Sequence, residues 1–224
     1  MTDHNLATND LTVWGVGTTR TFRVHWLLHE LGLDYETRRI ESRTGETLTD
    51  EYIRLNPKQK IPTLVHGDFV LSESLAIMRY LRRISAALPF DQYQQSAEGQ
   101  GVYDEWASFI LMELDATSLY IVRRHRDLPQ IYGEAPLAVS GAVEYFEKMM
   151  NAAAPRIGSD QFLWGSCFSE LDILMAGTIE WARAVGVSLP TRAEEYHARV
   201  TDRDTYRAAK RHNFRDLQLQ ISKP

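Results

Sequence analysis

The sequence predicts an α/β domain over residues 10–85 followed by an all-helical domain over residues 98–215. In the first stretch, short segments rich in β-branched and aromatic residues alternate with segments whose apolar residues recur at helical spacing. After residue 100, the periodic segments all have the helical spacing. This change of pattern predicts two domains, because mixed and purely helical layers bury their apolar faces in different ways.

The first strand and the first helix open the α/β domain. Leu11–Val16 predicts the strand, and Gly17–Thr21 predicts a turn. The helix that follows runs to Leu31, and Gly32 is placed to end it. One face of this helix is apolar and carries Val24, Leu27, Leu28 and Leu31 at i, i+3, i+4 and i+7.

A second strand and a short helix come next. Tyr35–Ile40 predicts the strand, because β-branched and aromatic residues stand between charged ones. Glu41–Glu46 is polar and predicts a loop. Thr49 is placed to cap a helix that ends at Leu55, since Pro57 disfavours the helical conformation in the residue before it.

The chain after the short helix predicts a hairpin and a third helix. Ile61–Val65 forms the first strand, and Pro62 fits near its start because proline lacks a backbone donor. His66–Asp68 forms the turn and Phe69–Leu71 the returning strand. Ser72–Ser74 then opens the helix, whose apolar stripe carries Leu75, Met78 and Leu81. The complete order, β-α-β-α-β-β-α, is that of a thioredoxin-like domain.

The second domain is predicted from helical patterns alone. Ala86–Gln100 is rich in glutamine, has little periodicity and predicts a linker. Pro136 suits the first turn of one helix, and another starts near Phe168. Two short helices are predicted at 192–200 and 204–212. The first long helix has an apolar face made of Val102, Trp106, Phe109 and Ile110.

The composition excludes several classes of protein. The 224 residues carry a formal net charge of −5, which argues against a nucleic-acid backbone as the main partner. No apolar run approaches the ~20 residues needed to span a bilayer, and residues 1–10 are polar without a hydrophobic signal core. Cys167 is the single cysteine, so no disulfide can form within the chain. The expected location is the cytoplasm.

The Ile61-Pro62 and Glu73-Ser74 pairs resemble the glutathione-binding half of the glutathione S-transferase family. The resemblance implies a cis peptide bond before Pro62 and a contact between the Ile61 backbone and the cysteinyl part of glutathione. It also implies that Glu73 and Ser74 hold the γ-glutamyl end. A helix start at this point suits such a ligand, since free backbone N–H groups bind carboxylates. A proline-led hairpin that runs into an ordinary helix has the same pattern without any ligand.

Two residues before the hairpin bear on the same site. Lys60 is placed to pair with a carboxylate of the tripeptide, although a loop lysine is usually only solvated. Gln59 occupies a position where the family often has glycine.

The run from Thr19 to Gly32 resembles the segment that contacts the glutathione sulfur in serine-type members of the family. On this register Thr19 takes the place of the first serine, whereas counting back from Arg23 places Thr18 there. Threonine keeps the hydroxyl but adds a methyl group and a stiffer χ1. The alternative role for Thr18, Thr19 and Thr21 is helix capping, which needs the same residue type.

The chemistry expected of one hydroxyl at this position is modest. A free thiol has a pKa near ~8.5, and lowering it by two units needs about 2.7 kcal/mol of preference for the thiolate. A hydrogen bond to a charged group supplies about 1.5–3 kcal/mol, and a helix N-terminus adds about 0.3–1 kcal/mol. No side-chain base is therefore required.

A second resemblance lies at the start of the helix near Phe168. Ser169 and Asp172 match the family's Ser/Thr-x-x-Asp box, in which the first residue caps the helix and the aspartate reaches back to its backbone N–H. Phe168 is placed as an apolar staple, and Tyr196 to Asn213 resembles the family's closing helices. These residues are expected to stabilise the fold.

The resemblance implies a homodimeric transferase that uses glutathione as co-substrate and no metal. A small electrophile would lie between the domains, against the first long helix of the second domain. Tyr103, Trp106, Phe109 and Ile110 are candidates to line its pocket, although aromatic residues at helical spacing are more often core. Alternatives are a glutathione-dependent disulfide reductase or peroxidase, a non-catalytic glutathione-binding protein, and an isomerase of an unsaturated diacid.

Two further features of the sequence bear on metal binding and on dithiol chemistry. His25 and His29 stand one helical turn apart, but no carboxylate or cysteine pattern completes a metal site, so packing or surface roles are favoured. Cys167 has no CxxC partner, which excludes a dithiol mechanism of the thioredoxin type within this chain.

Overall fold

The computed structural model describes residues 10–88, 92–157 and 160–214. The chain divides into two compact units. One contains the described residues up to 88 together with 203–214, and the other spans 92–202. The predicted polar start of the chain, residues 1–9, lies outside the described residues.

A four-stranded sheet forms the middle of the first unit. Its strands are β1 (Leu11–Trp14), β2 (Glu36–Arg38), β3 (Thr63–His66) and β4 (Phe69–Ser72), in the spatial order β2-β1-β3-β4. β1 pairs with β2 in parallel and with β3 antiparallel, and β3 and β4 form the predicted hairpin. β1 and β3 are the central strands and bury Leu11, Val13 and Leu64.

Three helices of the first unit follow the predicted order. They are α1 (Thr19–Leu31), α2 (Asp50–Leu55), which follows a single 3₁₀ turn at Glu46–Leu48, and α3 (Ser74–Ile84). Gly32 ends α1 in the left-handed conformation, with φ of 61°, and the Thr49 side chain accepts a hydrogen bond from the backbone N–H of Tyr52. The predicted thioredoxin-like arrangement is confirmed.

All regular secondary structure in the described residues of the second unit is helical. Its α-helices are α4 (Gln92–Gln95), α5 (Ala97–Ser108), α6 (Tyr120–Val122), α7 (Pro129–Tyr132), α8 (Pro136–Ile157), α9 (Glu170–Ala184) and α10 (Thr191–Thr201). Pro136 occupies the first position of α8, as its missing N–H allows. Two π-helical segments, Phe109–Leu119 and Arg123–Asp127, flank α6. None of the helices in the described ranges is long and apolar enough to cross a membrane.

The predicted linker over residues 86–100 differs from the structure. α4 and the first turn of α5 lie within it, and Ser96 caps α5 by accepting from the backbone N–H of Gly99. Gln94 is fully buried and donates from its side chain to the carbonyl oxygen of Trp164. The glutamine content of residues 86–100 suggested a linker. Glutamine is also compatible with a helix when its side-chain amide is buried and hydrogen-bonded, as it is at Gln94. Residues 89–91 of that linker lie outside the described residues.

The closing helix, α11 (Asp204–Asn213), belongs to the first unit. The sequence placed it in a second domain of residues 98–215, because helical spacing does not show which core a helix joins. Here Tyr206 packs on Phe22 and Trp26, with ring centroids 5.6 and 4.9 Å apart. α11 therefore lies along α1.

Candidate functional site

The start of α1 is held by a reciprocal capping arrangement between two threonines. The Thr18 hydroxyl accepts from the backbone N–H of Thr21 at 3.1 Å, and the Thr21 hydroxyl accepts from the backbone N–H of Thr18 at 3.0 Å. Thr21 is fully buried, whereas Thr18 is half-buried. Thr18 and Thr21 therefore perform the capping role that was the alternative for all three threonines.

Thr19 is the first residue of α1 and is half-buried. Across residues 10–88, 92–157 and 160–214, its hydroxyl has no hydrogen-bond partner. The first backbone N–H groups of a helix also lack partners within the helix. Thr19 thus presents an uncommitted hydroxyl, meaning one with no hydrogen-bond partner in the described residues, at the positive end of a 13-residue helix.

The Ile61–Pro62 segment lies against this helix start. The peptide bond is cis, as the resemblance implied. Gly15 has φ of 116°, and a Cβ added to it would lie 2.6 Å from the Ile61 Cβ and 3.0 Å from the Thr21 Cγ2. Only glycine fits so close an approach. The structure therefore places Ile61 beside the first turn of α1.

Two side chains from α2 and the residue after it fix the chain entering this segment. The Tyr52 hydroxyl donates to the carbonyl oxygen of Lys60 at 2.6 Å, and Asn56 Nδ2 donates to the same oxygen at 2.8 Å. Both also lie within 3.0 Å of the Thr63 hydroxyl. Gln59 has φ of 56°, in the left-handed region, which explains why glycine suits this position. The Lys60 side chain is exposed.

The start of α3 has the second uncommitted hydroxyl. Glu73 precedes the helix with φ of 74° and ψ of 116°, an unusual conformation for a residue with a side chain. Its exposed carboxylate lies 2.5 Å from the Lys58 ammonium. Ser74, 7% exposed, is the first helical residue, and its hydroxyl bonds to no other residue in the described part of the chain. Backbone strain of this kind clusters at ligand-binding sites.

Comparison with known proteins shows which family the α/β domain resembles. The family "Glutathione S-transferase, N-terminal domain" matches residues 9–83. Residues 9–83 therefore correspond to the N-terminal domain of glutathione S-transferases. Glutathione S-transferase 1 of Dianthus caryophyllus is 48% identical over 60 residues, 27% of each chain. Glutathione S-transferase theta-1 of Bos taurus is 29% identical over 145 residues, covering 63% of this chain and 60% of that protein.

Solved structures show that the glutathione S-transferase fold extends over nearly the whole chain. A theta class glutathione S-transferase from Xanthomonas axonopodis pv. citri, solved with glutathione bound, is 23% identical with a TM-score of 0.77. The similarity covers 90% of this chain and 97% of that one. The chain spans less than two thirds of the length of the curated relatives named above.

Histidines of the first unit pack against each other around α1. His25 Nε2 lies 3.0 Å from the Gly15 carbonyl oxygen, and its Nδ1 lies 2.9 Å from the Tyr35 hydroxyl, so both ring nitrogens are engaged. The pKa of His25 is lowered to about 3, mainly by burial; the Gly15 hydrogen bond opposes the shift, and the nearby His212, His29 and Arg39 charges contribute to it. His25 is a packed core histidine. In the described ranges, no His, Cys, Asp and Glu cluster could hold a metal.

The helical unit contains a cavity of about 630 Å³. Of the four candidates for the electrophile pocket, Trp106 lines this cavity, together with Tyr93, Arg156 and Leu163. Tyr103 and Ile110 are buried. The position of the electrophile stays a prediction.

Three residues around the candidate site could not be predicted from the sequence. Lys58 contacts Glu73, Tyr52 holds the Lys60 carbonyl, and Asn213 contacts the start of α1. Thr18 and Asn213 are 195 residues apart in the chain, so no local pattern identifies the pair.

Proposed function

We propose that this protein activates the thiol of glutathione for attack on a small electrophile. The observation that carries the proposal is the uncommitted Thr19 hydroxyl at the start of α1, a helix whose first turn lies beside Ile61 through the Thr21 side chain. The start of α3 adds a second uncommitted hydroxyl, that of Ser74. The names of the relatives and the glutathione bound in the Xanthomonas structure support the same ligand.

Glutathione binding is assigned to five residues of the transferase domain. The backbone of Ile61 binds the cysteinyl part, while Pro62 sets the direction of that backbone. Ser74 and the first N–H groups of α3 bind the γ-glutamyl carboxylate, since a helix start carries partial positive charge. Glu73 binds the γ-glutamyl amine, and Lys60 pairs with the remaining carboxylate. The exposed Lys60 and Glu73 side chains are available to a ligand, and Glu73 would exchange its Lys58 contact for the amine.

Thr19 stabilises the thiolate in this proposal, and Thr18 is the alternative. One hydrogen bond to the charged sulfur supplies about 1.5–3 kcal/mol, and a helix N-terminus lowers the pKa of a thiol in the same direction. Thr19 is favoured because its hydroxyl is uncommitted, whereas the Thr18 hydroxyl already accepts from Thr21. Holding thiolate and electrophile together supplies much of the rate.

The test compares wild-type protein with Thr19→Ala and Thr18→Ala. Calorimetry measures glutathione binding, and steady-state kinetics measures conjugation of a halogenated aromatic electrophile. We expect Thr19→Ala to bind glutathione but to lose about tenfold to hundredfold in kcat, the equivalent of one hydrogen bond to an anion. Equal activity in all three proteins would remove the role of Thr19, and the absence of glutathione binding by the wild type would remove the whole proposal.

A disulfide reductase or peroxidase with the same binding site is the second candidate. Two glutathione transferases from Phanerochaete chrysosporium that share the fold were solved with oxidized glutathione, at 16% and 18% identity. Parallel assays with a small mixed disulfide, a peroxide and the halogenated aromatic separate the two reactions. Glutathione binding without turnover in any of the assays would instead indicate a non-catalytic binding protein.

A homodimer located in the cytoplasm completes the proposal. β4 is an edge strand, and it carries exposed Phe69 and Val70 side chains, 41% and 39% accessible. Exposed apolar residues on an edge strand favour contact with a second copy. Analytical ultracentrifugation of wild type and Val70→Lys tests this, and a wild-type monomer at micromolar concentration would contradict it.

A further inference from the structure

The carboxamide of Asn213, the last residue of α11, contacts the turn from which α1 begins. Its Oδ1 accepts from the Thr21 hydroxyl at 2.8 Å, and its Nδ2 donates to the Thr18 carbonyl oxygen at 3.2 Å. Its own backbone carbonyl accepts from the Gly17 N–H at 3.1 Å. The residue is 1% exposed. One buried side chain therefore holds both threonines of the capping arrangement.

The direction of the hydroxyl protons follows from counting donors. The Thr21 hydroxyl lies 2.8 Å from both the Thr18 carbonyl oxygen and Asn213 Oδ1. The Thr18 carbonyl oxygen already accepts from the Phe22 N–H at 2.9 Å and from Asn213 Nδ2. The single Thr21 hydroxyl proton is therefore directed to Asn213 Oδ1, which has no other donor among the described residues. The Thr21 oxygen then remains an acceptor for the Thr18 N–H. Asn213 thus fixes the orientation in which Thr21 holds Thr18.

The remainder of α11 is anchored on α1 independently of this contact. Arg203, just before α11, donates two hydrogen bonds of 2.7 Å to the carboxylate of Glu30. Tyr206 packs on Phe22 and Trp26. Because Arg203 and Tyr206 both lie at the opposite end of α11 from Asn213, losing the Asn213 carboxamide would release the turn without detaching the helix.

We propose that Asn213 is a positioning residue for the sulfur-contacting turn, and this rests on the proposed function. Its carboxamide holds Gly17–Thr21 so that the hydroxyl at Thr19, or at Thr18 in the alternative, faces the thiolate at hydrogen-bond distance. Misplacing a stabilising group by about 1 Å can cost on the order of a hundredfold in rate. The binding contacts at α3 do not depend on this turn.

The experiment compares Asn213→Ala with Arg203→Ala as a matched control at the opposite end of the same helix. We expect Asn213→Ala to lose at least about tenfold in kcat while KM for glutathione changes less than threefold. Arg203→Ala should lower the melting temperature and keep kcat. Asn213→Asp keeps an acceptor for Thr21 but adds negative charge, so the pH profile of kcat/KM should shift upward as the bound thiol loses acidity.

Amide hydrogen exchange gives a measurement that needs no turnover. The Thr18 and Thr21 amides should exchange about fivefold to tenfold faster in Asn213→Ala, the equivalent of about one hydrogen bond, and at the wild-type rate in Arg203→Ala. Unchanged exchange in Asn213→Ala and Asn213→Asp, or equal losses of kcat and KM in Asn213→Ala and Arg203→Ala, would overturn the positioning role. Faster exchange in a protein whose wild type binds no glutathione would contradict the proposed function and leave the structural role of Asn213 intact.

Discussion

Two helices of this protein begin with the same capping motif, but the two motifs differ in what they leave uncommitted. At α9, Asp172 accepts from the Ser169 N–H and hydroxyl, from the Leu163 N–H and from the Tyr196 hydroxyl. Asp172 and Ser169 are both fully buried. At α1, Thr18 and Thr21 cap each other, and Thr19 beside them has a hydroxyl with no partner in the described residues.

The comparison shows how one local motif can stabilise a fold in one place and form a binding site in another. A closed network with every donor paired leaves nothing for a ligand, and it makes removal of any member costly. Burial raises the pKa of Asp172, and the hydrogen bonds from Tyr196, Leu163 and Ser169 oppose that rise. At α1, the half-buried Thr19 beside the capping network keeps its hydroxyl available, so it can stabilise an added anion.

The largest effect is expected from opening the closed network. Asp172→Ala leaves the donors of Leu163, Ser169 and Tyr196 buried without an acceptor, so we expect the free energy of unfolding to fall by about 3 kcal/mol. Urea titration measures the loss. Glu144→Ala removes an exposed carboxylate from the same unit and should change the free energy by less than about 0.5 kcal/mol. Equal stability of both variants and wild type would contradict the structural role of Asp172.

The next effect concerns α1, whose middle is buried around a neutral histidine. The pKa of His25 is about 3 in the folded protein, because of its burial, against 6.5 when unfolded. Above pH 6.5 both states are neutral and the stabilisation is complete. As pH falls from 6.5 towards 3, only the unfolded state binds the proton, so stability falls by up to about 1.4 kcal/mol per pH unit. Burial lowers the pKa of His29 as well, which adds to the same slope.

Urea titrations between pH 7 and pH 4.5 measure this slope in wild type and in His25→Gln. The glutamine variant should be less stable at neutral pH but should lose less stability on acidification. His125→Gln is the control, since the one hydrogen bond of the His125 side chain in the described ranges is to the Gly133 carbonyl in the other unit, and it should retain the wild-type slope. A wild-type slope in His25→Gln would show that His25 does not stay neutral in the fold.

The features that the sequence predicted are those that depend on interactions between residues close together in the chain. Thr49, Pro136 and Ser169 act on backbone groups within a few residues, so their roles follow from local pattern. The cis bond at Pro62 and the placement of Ile61 followed from family resemblance. Long-range pairs such as Thr21 with Asn213 have no local signal. The π-helical segment Phe109–Leu119 has apolar spacing that also fits an α-helix, so sequence periodicity did not reveal it.

The start of α3 extends the comparison, and glutathione binding measures its effect. Ser74 has an uncommitted hydroxyl like Thr19, but it begins α3, where the γ-glutamyl carboxylate is proposed to bind. Ser74→Ala removes one hydrogen bond to a charged group, so we expect glutathione Kd to rise about tenfold with little change in stability. Calorimetry measures the Kd. Ser140→Ala is the control; it removes an exposed hydroxyl on α8 whose one hydrogen bond among the described residues is to the Leu137 carbonyl oxygen. An unchanged Kd for Ser74→Ala would contradict the assignment.

The smallest effect is a difference in stability between two threonine variants at the start of α1. It distinguishes the residue that caps the helix from the residue proposed to contact the thiolate. Thr18→Ala removes the acceptor of the Thr21 N–H, and loss of such a cap costs about 1 kcal/mol of unfolding free energy. Thr19→Ala removes no contact among the described residues and should leave stability within about 0.5 kcal/mol of wild type. Urea titration of the two variants at pH 7 measures this difference in unfolding free energy. The titrations use the same protein preparations as the kinetics. If Thr19→Ala proved the less stable, its hydroxyl would be part of the fold, and Thr18 would become the favoured contact for the thiolate.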